Sequence, residues 1–97
     1  MKKGYWVVAY RSVSDESALK RYGELAIPAV DAVGGKLVIR TVATESRESG
    51  LKERTVVVEF DSFEKALATY NSSGYQAALK ALGSGAVRDF RIVEGVE

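Results

Sequence analysis

The chain has 97 residues, 46% of them hydrophobic and 28% charged, with one proline and neither cysteine nor histidine. One domain spanning residues 1–97 is expected, able to bury about 60–65% of its unfolded surface without a disulfide or structural metal. The missing His and Cys remove the common transition-metal ligands, the usual nucleophile–base pairs and an axial haem ligand, so no metal, haem or other cofactor is expected and acid–base work falls to Asp, Glu, Lys or Tyr.

Fourteen Lys and Arg against thirteen Asp and Glu leave a net charge of +1 with no basic run, which argues against a nucleic-acid partner. Apolar runs fall far short of the ~20 residues of a membrane helix, and the opening MKKGYWVVAYR has no signal-peptide core, so no membrane association and a cytoplasmic location are expected.

Tyr5 to Arg11 reads as a strand with apolar groups on both alternating sets, covered on both faces. Ser14 or Asp15 then opens a helix with apolar positions at three- and four-residue spacing from Leu19 to Val33, ended by Gly34-Gly35. Pro28 lies inside it and predicts a kink or break near Ala26. Lys36 to Thr44 is the second strand, and a charged, glycine-containing loop joins it to the third, Glu53 to Phe60. The β-branched run Val56-Val57-Val58 and the Asp61-Ser62 cap then turn a strand directly into a helix, interrupted at Asn71–Gly74, where Ser72 caps a continuation through Leu82. Gly83-Ser84-Gly85 is a turn, and Arg88 to Glu94 the fourth strand.

The order β-α-β-β-α-β predicts an α+β, ferredoxin-like plait: a four-stranded antiparallel sheet with both helices on one face. With Ile39, Val58 and Phe60 toward the helices, the open face would show Val38, Arg40, Val42, Val57, Glu59 and Val93. That is too apolar for water and predicts a homodimer through the open sheet face.

If the hairpin is centred near Glu48, Glu59 lies opposite Val38 and Arg40 opposite Val57, making Arg40 and Glu59 diagonal neighbours. Two readings follow: an ion pair within a dimer interface, or a cleft in which Arg40 holds a carboxylate or enolate and Glu59 is the catalytic base. Trp6, Tyr10, Tyr70 and Tyr75, with Tyr22, either line an aromatic pocket for a small organic ligand or pack the core and interface. The same strand order underlies the RNA-recognition motif, but RTVVVEF carries Val and Glu where that module needs aromatics, so RNA recognition is rejected.

The opening GYWVV, the Gly34-Gly35 helix end before a strand bearing Arg40, the segment Arg54 to Phe60 leading to Ser62, the spacing of Tyr70, Ser72 and Tyr75, and the closing Val93-Glu94-Gly95 together resemble a family of small bacterial proteins. It is known only as a domain of unknown function, numbered thirteen-thirty, within the dimeric α+β barrel superfamily. The resemblance covers nearly the whole chain; Thr69 departs from a frequent tryptophan and Gly83 from a frequent arginine. It implies a ferredoxin-like dimer whose sheets pair into a barrel, with relatives that include cofactor-independent quinone-forming monooxygenases, muconolactone isomerases and haem-dependent enzymes. The functional expectation is a small-molecule binder, for an aromatic or carboxylated metabolite in a sheet–helix cleft, with cofactor-independent proton-transfer or oxygenase chemistry. The alternative is a non-catalytic dimerisation or stress-associated interaction module.

Overall fold

The computed structural model describes residues 2–97. Its elements are β1 (Gly4–Val13), α1 (Glu16–Asp31), β2 (Lys36–Val42), β3 (Arg54–Phe60), α2 (Phe63–Tyr70), α3 (Ser73–Leu82) and β4 (Ala86–Glu94). The strands form one antiparallel sheet in the order β2-β3-β1-β4, the ferredoxin-like plait, with the second helix in two pieces. Cα extents of 34 × 33 × 15 Å describe a slab two layers thick, a sheet with helices on one side.

Local chemistry sets most boundaries. The Asp15 carboxylate accepts from the backbone N–H of Ala18, the Ser62 hydroxyl from Lys65 and the Ser72 hydroxyl from Tyr75, so each helix starts on a side-chain cap. α1 ends where Gly34 takes φ +77°, a conformation costly for any residue with a Cβ. Of the kink or break expected at Pro28, the break does not occur, and α1 runs unbroken to Asp31. Pro28 and Glu24 are both exposed, so the Glu24 carbonyl that loses its amide partner is left on the solvent side, where water can satisfy it.

The core lies between the sheet and the helices. Trp6 is its centre: the indole N–H donates to the Ala66 carbonyl at 2.9 Å, and the ring meets Tyr75, Phe60 and Phe90 at centroid distances of 4.7, 4.9 and 5.3 Å. Such tilted contacts suit aromatic quadrupoles.

The register of β2 differs from the expected one. Lys36 pairs with Glu59 and Leu37 with Val58, but then Ile39 pairs with Val57 and Arg40 with Val56, so Val38 is an extra residue in a β-bulge. Because side chains alternate, an extra residue exchanges the faces of everything beyond it. Arg40 therefore shares the helix-side face with Val56 and Val58, while Ile39 joins Val57 and Glu59 on the open face. The expected contact between Arg40 and Glu59 does not exist; the sheet lies between them.

Candidate functional site

Alternation and pairing bring three arginines to one end of the helix-side face. Arg54 pairs with Val42 across β2, Arg88 with Tyr10 across β1, and the β1–β3 register, Ala9 opposite Thr55, carries Tyr10 next to Arg54. Tyr10 is thereby flanked by two guanidinium groups, whose central carbons lie 5.2 Å (Arg54) and 5.6 Å (Arg88) from its ring centroid. Arg40 sits one row further along, beside Val56. Cation–π attraction to an aromatic face helps hold such a row in place despite its like charges.

These residues line a cavity of about 160 Å³ between the sheet and α1. Sheet-side walls come from Trp6, Val8, Tyr10, Val56 and Phe90 as well as the three arginines, and α1 contributes Leu19, Tyr22, Ala26, Ile27 and Val30. A buried apolar cavity of about 150 Å³ admits a benzene ring, so the space suits one ring or a short chain. Asp31, at the last turn of α1, is the only carboxylate among the lining residues.

The charge is unbalanced. Arg88 donates to the Tyr22 hydroxyl at 3.1 Å and to the Tyr75 hydroxyl at 3.5 Å, and those two hydroxyls lie 2.6 Å apart. Burial, reinforced by the neighbouring Tyr22, pushes the Tyr75 phenol far above its usual range, and the pull of Arg88 does not offset this. Burial acts to lower the Arg88 pKa, yet its phenol neighbours outweigh burial and hold it above the ordinary arginine range. Arg88 thus stays charged beside a Tyr75 hydroxyl that offers a lone pair but no opposite charge. Among the described residues, the arginine ion pairs engage Arg11, Arg47 and Arg91 and give Arg40, Arg54 and Arg88 no carboxylate partner. The Nε of Arg54 is shielded from water and has no hydrogen-bond partner among the described residues. Apolar walls strengthen the field of such charges toward an incoming anion relative to bulk water.

Of the residues singled out in the sequence, Arg40, Trp6, Tyr10 and Tyr22 line this cavity. Tyr75 is fully buried behind it and reaches its rim only through the hydroxyl shared with Tyr22 and Arg88. Tyr70 is half-buried and packs against Phe90 and Tyr75 at 5.1 and 5.2 Å, outside the cavity lining. Glu59 lies on the opposite face, where Tyr5 Oη donates to it at 3.4 Å and Lys3 Nζ is 3.9 Å away; the Val38 bulge is the reason it does not meet Arg40. Sequence reasoning passed over Arg54 and Arg88 as strand beginnings. Their signal was phase: Arg54 keeps step with Val56, Val58 and Phe60, and Arg88 with Phe90 and Ile92, so both fall on the apolar face, where a charge needs a reason. Among the described residues no three of His, Cys, Asp or Glu converge as a metal site, and no helix is long and apolar enough to cross a membrane.

Over residues 3–96 the chain matches the family described as Domain of unknown function (DUF1330), and it belongs to that family. No curated protein matches its sequence. Its fold is similar to that of a protein of unknown function from Rhodopseudomonas palustris, with a TM-score of 0.69 at 13% identity over 99% of this chain and 83% of that one. A mutant of SnoaB, a cofactor-independent oxygenase from Streptomyces nogalater, gives a TM-score of 0.66 at 10% identity over 98% and 94% of the two chains. A putative antibiotic biosynthesis monooxygenase from Nitrosomonas europaea gives 0.61 at 12% over 96% and 90%. At these identities the likeness is one of fold, and fold alone carries no activity.

Proposed function

We propose that this DUF1330 protein binds a small carboxylated or aromatic acid in the cleft between the sheet and α1, as a homodimer joined through the open face of the sheet. The observation that carries the binding reading is the set of three guanidinium groups without carboxylate partners around a ring-sized apolar cavity. Leaving such charge uncompensated costs stability, and an anionic occupant would recover it. Cofactor-independent proton-transfer or oxygenase chemistry fits the same arrangement: a proton passed from the bound ring compound to Asp31, the one carboxylate among the described lining residues, would leave an enolate or phenolate stabilised by the guanidinium groups, with dioxygen as the oxidant in the oxygenase case. Glu59 stands on the other face of the sheet and is not among the residues that line the cavity, so this reading does not use it there.

A thermal-shift panel tests the binding reading, since a ligand that binds only the folded state raises its stability. Benzoate and phenylacetate are expected to raise the melting temperature, with benzamide and benzyl alcohol ineffective. No shift with any acid, or equal shifts with the neutral compounds, would remove the anion site.

The dimer rests on the open face. Ile39 and Val93 there are 44% and 38% exposed, beside half-buried Val7, Ala9 and Val57. The chain exposes 6165 Å², where a compact monomer of this mass would expose about 5,400 Å². A second copy placing the same face against this one would bury the excess. This face also favours a second reading, a dimerisation module without chemistry. Light scattering showing a dimer, combined with a silent thermal-shift panel, would select it, and a monomer mass at micromolar concentration would end both dimeric readings.

A further inference from the structure

We infer that Arg54 is the anchor of the ligand's charged end and that the group it takes is a carboxylate; this rests on the anion-binding reading above and specifies its chemistry. The three arginines of the cavity are not equivalent. Arg88 already donates to the Tyr22 and Tyr75 hydroxyls. Arg40 belongs to an edge strand whose residues are all exposed, where water can reach its donors. Arg54 lies on an inner strand and makes no hydrogen bond or ion pair among the described residues, and its Nε, cut off from water, has no acceptor. Its neighbours in sequence do not help: Glu53 points to the other face and engages Arg11, and Thr55 donates to the Glu53 carbonyl. A shielded donor without an acceptor is unfavourable in the empty protein. An acceptor that enters the cavity can satisfy it once a small rotation of the side chain turns the shielded Nε–H toward the ligand.

The geometry of the donor set chooses the acceptor. Nε–H and the adjacent Nη–H of an arginine run parallel, a fork that matches two oxygens of one planar group. A phenolate or enolate offers one oxygen and leaves half the fork unpaired. A phosphate offers two but turns further charged oxygens against aliphatic walls such as Val56 and Leu37, where they would lose hydration without gaining donors. A carboxylate fills the fork and presents only carbon to the rest of the cavity. The ring of Tyr10, whose centroid lies 5.2 Å from the central carbon of the Arg54 guanidinium, attracts that group and holds it near the cavity, and Arg40, one row along on the same face, adds attraction without needing to touch. The class of ligand is a monocyclic or short-chain monocarboxylic acid.

The test is a titration of the intact protein with benzoate, following arginine Nε–H resonances by NMR and the binding constant by calorimetry. The Arg54 Nε–H signal is expected to move downfield and saturate with the calorimetric curve. Arg54→Gln and Arg54→Lys are both expected to weaken benzoate at least about tenfold, because lysine restores the charge but not the fork. Inorganic phosphate should neither move that signal nor compete. Circular dichroism checks that the variants fold, and the wild-type NMR result stands without them. Benzoate binding with an unmoved Arg54 signal, an Arg54→Lys variant as tight as wild type, or phosphate competing at the same resonance would each overturn the assignment while leaving an anion site. If the wild-type protein responds to neither benzoate nor phosphate, the anion-site reading itself fails, and the assignment with it.

Discussion

On the open face of the sheet Arg11 reaches Glu53 and Asp89, and Arg91 reaches Asp89 as well, whereas on the helix-covered face Arg40, Arg54 and Arg88 meet no carboxylate among the described residues. The contrast is sharpest between adjacent residues. Glu53 and Arg54 are neighbours in sequence, as are Arg88 and Asp89, yet in each pair the acid turns to one face and the arginine to the other. On the open side the hydrogen bond from Arg91, then the charges of Arg91 and Arg11, hold Asp89 below the usual carboxylate range. On the closed side the nearest partners of Arg88 are hydroxyl groups. Exposed, paired charges are what solubility and sheet register require and contribute little to stability. Unpaired charges in a mostly apolar cavity work against stability, which makes a ligand the natural explanation for keeping them.

The largest expected effect breaks the open face. Val57→Asp would place two like charges across the proposed two-fold interface, so each substitution counts twice, and the dimer should dissociate by on the order of a hundredfold or more. Light scattering over a dilution series would show this, and an unchanged mass would mean that the face is not the interface.

Next in size is Val56→Glu, which adds a carboxylate beside Arg40 on the closed face. Supplying the missing counter-charge from the protein itself should abolish benzoate binding, by about tenfold at least, while the fold survives. Undiminished calorimetric heats would show that the arginines do not act as the anion site.

Tyr75→Phe removes the hydroxyl that bridges Tyr22 and Arg88 and should cost about 1–2 kcal/mol by denaturant titration. It should also change the pH profile. The folded-state pKa of Tyr75 is raised above that of the unfolded chain, so its contribution is fully present below about pH 10 and is lost as pH rises beyond that, when the unfolded phenol ionises first. The Phe variant should show less alkaline loss of stability than wild type; identical alkaline limbs would contradict the burial argument.

Smallest is Arg11→Ala on the open face. Its partners are exposed or half-buried, so the stability of the monomer should change by less than about 1 kcal/mol, with benzoate affinity untouched. A loss of affinity here would mean that the two faces are not electrically separate.

Much of this architecture can be read along the chain because the forces that set it are local. The caps at Ser62 and Ser72, the glycine end of α1 and the in-phase run Val56, Val58 and Phe60 each act within a few residues, and together they yield the order of strands and helices. The break that Pro28 could have caused is absent because a lost hydrogen bond costs little where the freed carbonyl faces water, and exposure is a property of the whole fold. The site was half legible. Trp6, Tyr10 and Arg40 announced themselves by type, whereas Arg54 and Arg88 looked like ordinary strand ends until the sheet gave them a face.

By itself, then, the sequence determined the βαββαβ plait, the phases of β3 and β4 and the absence of histidine and cysteine chemistry, all of which follow from residue type and short-range periodicity. Only the tertiary structure decided which charges meet. One unpaired residue, Val38, carries Arg40 through the sheet from Glu59 to the side of Arg54. Alternation makes side-chain direction depend on the parity of a count, and a bulge that changes the parity is set by the twist and pairing of strands from distant parts of the chain.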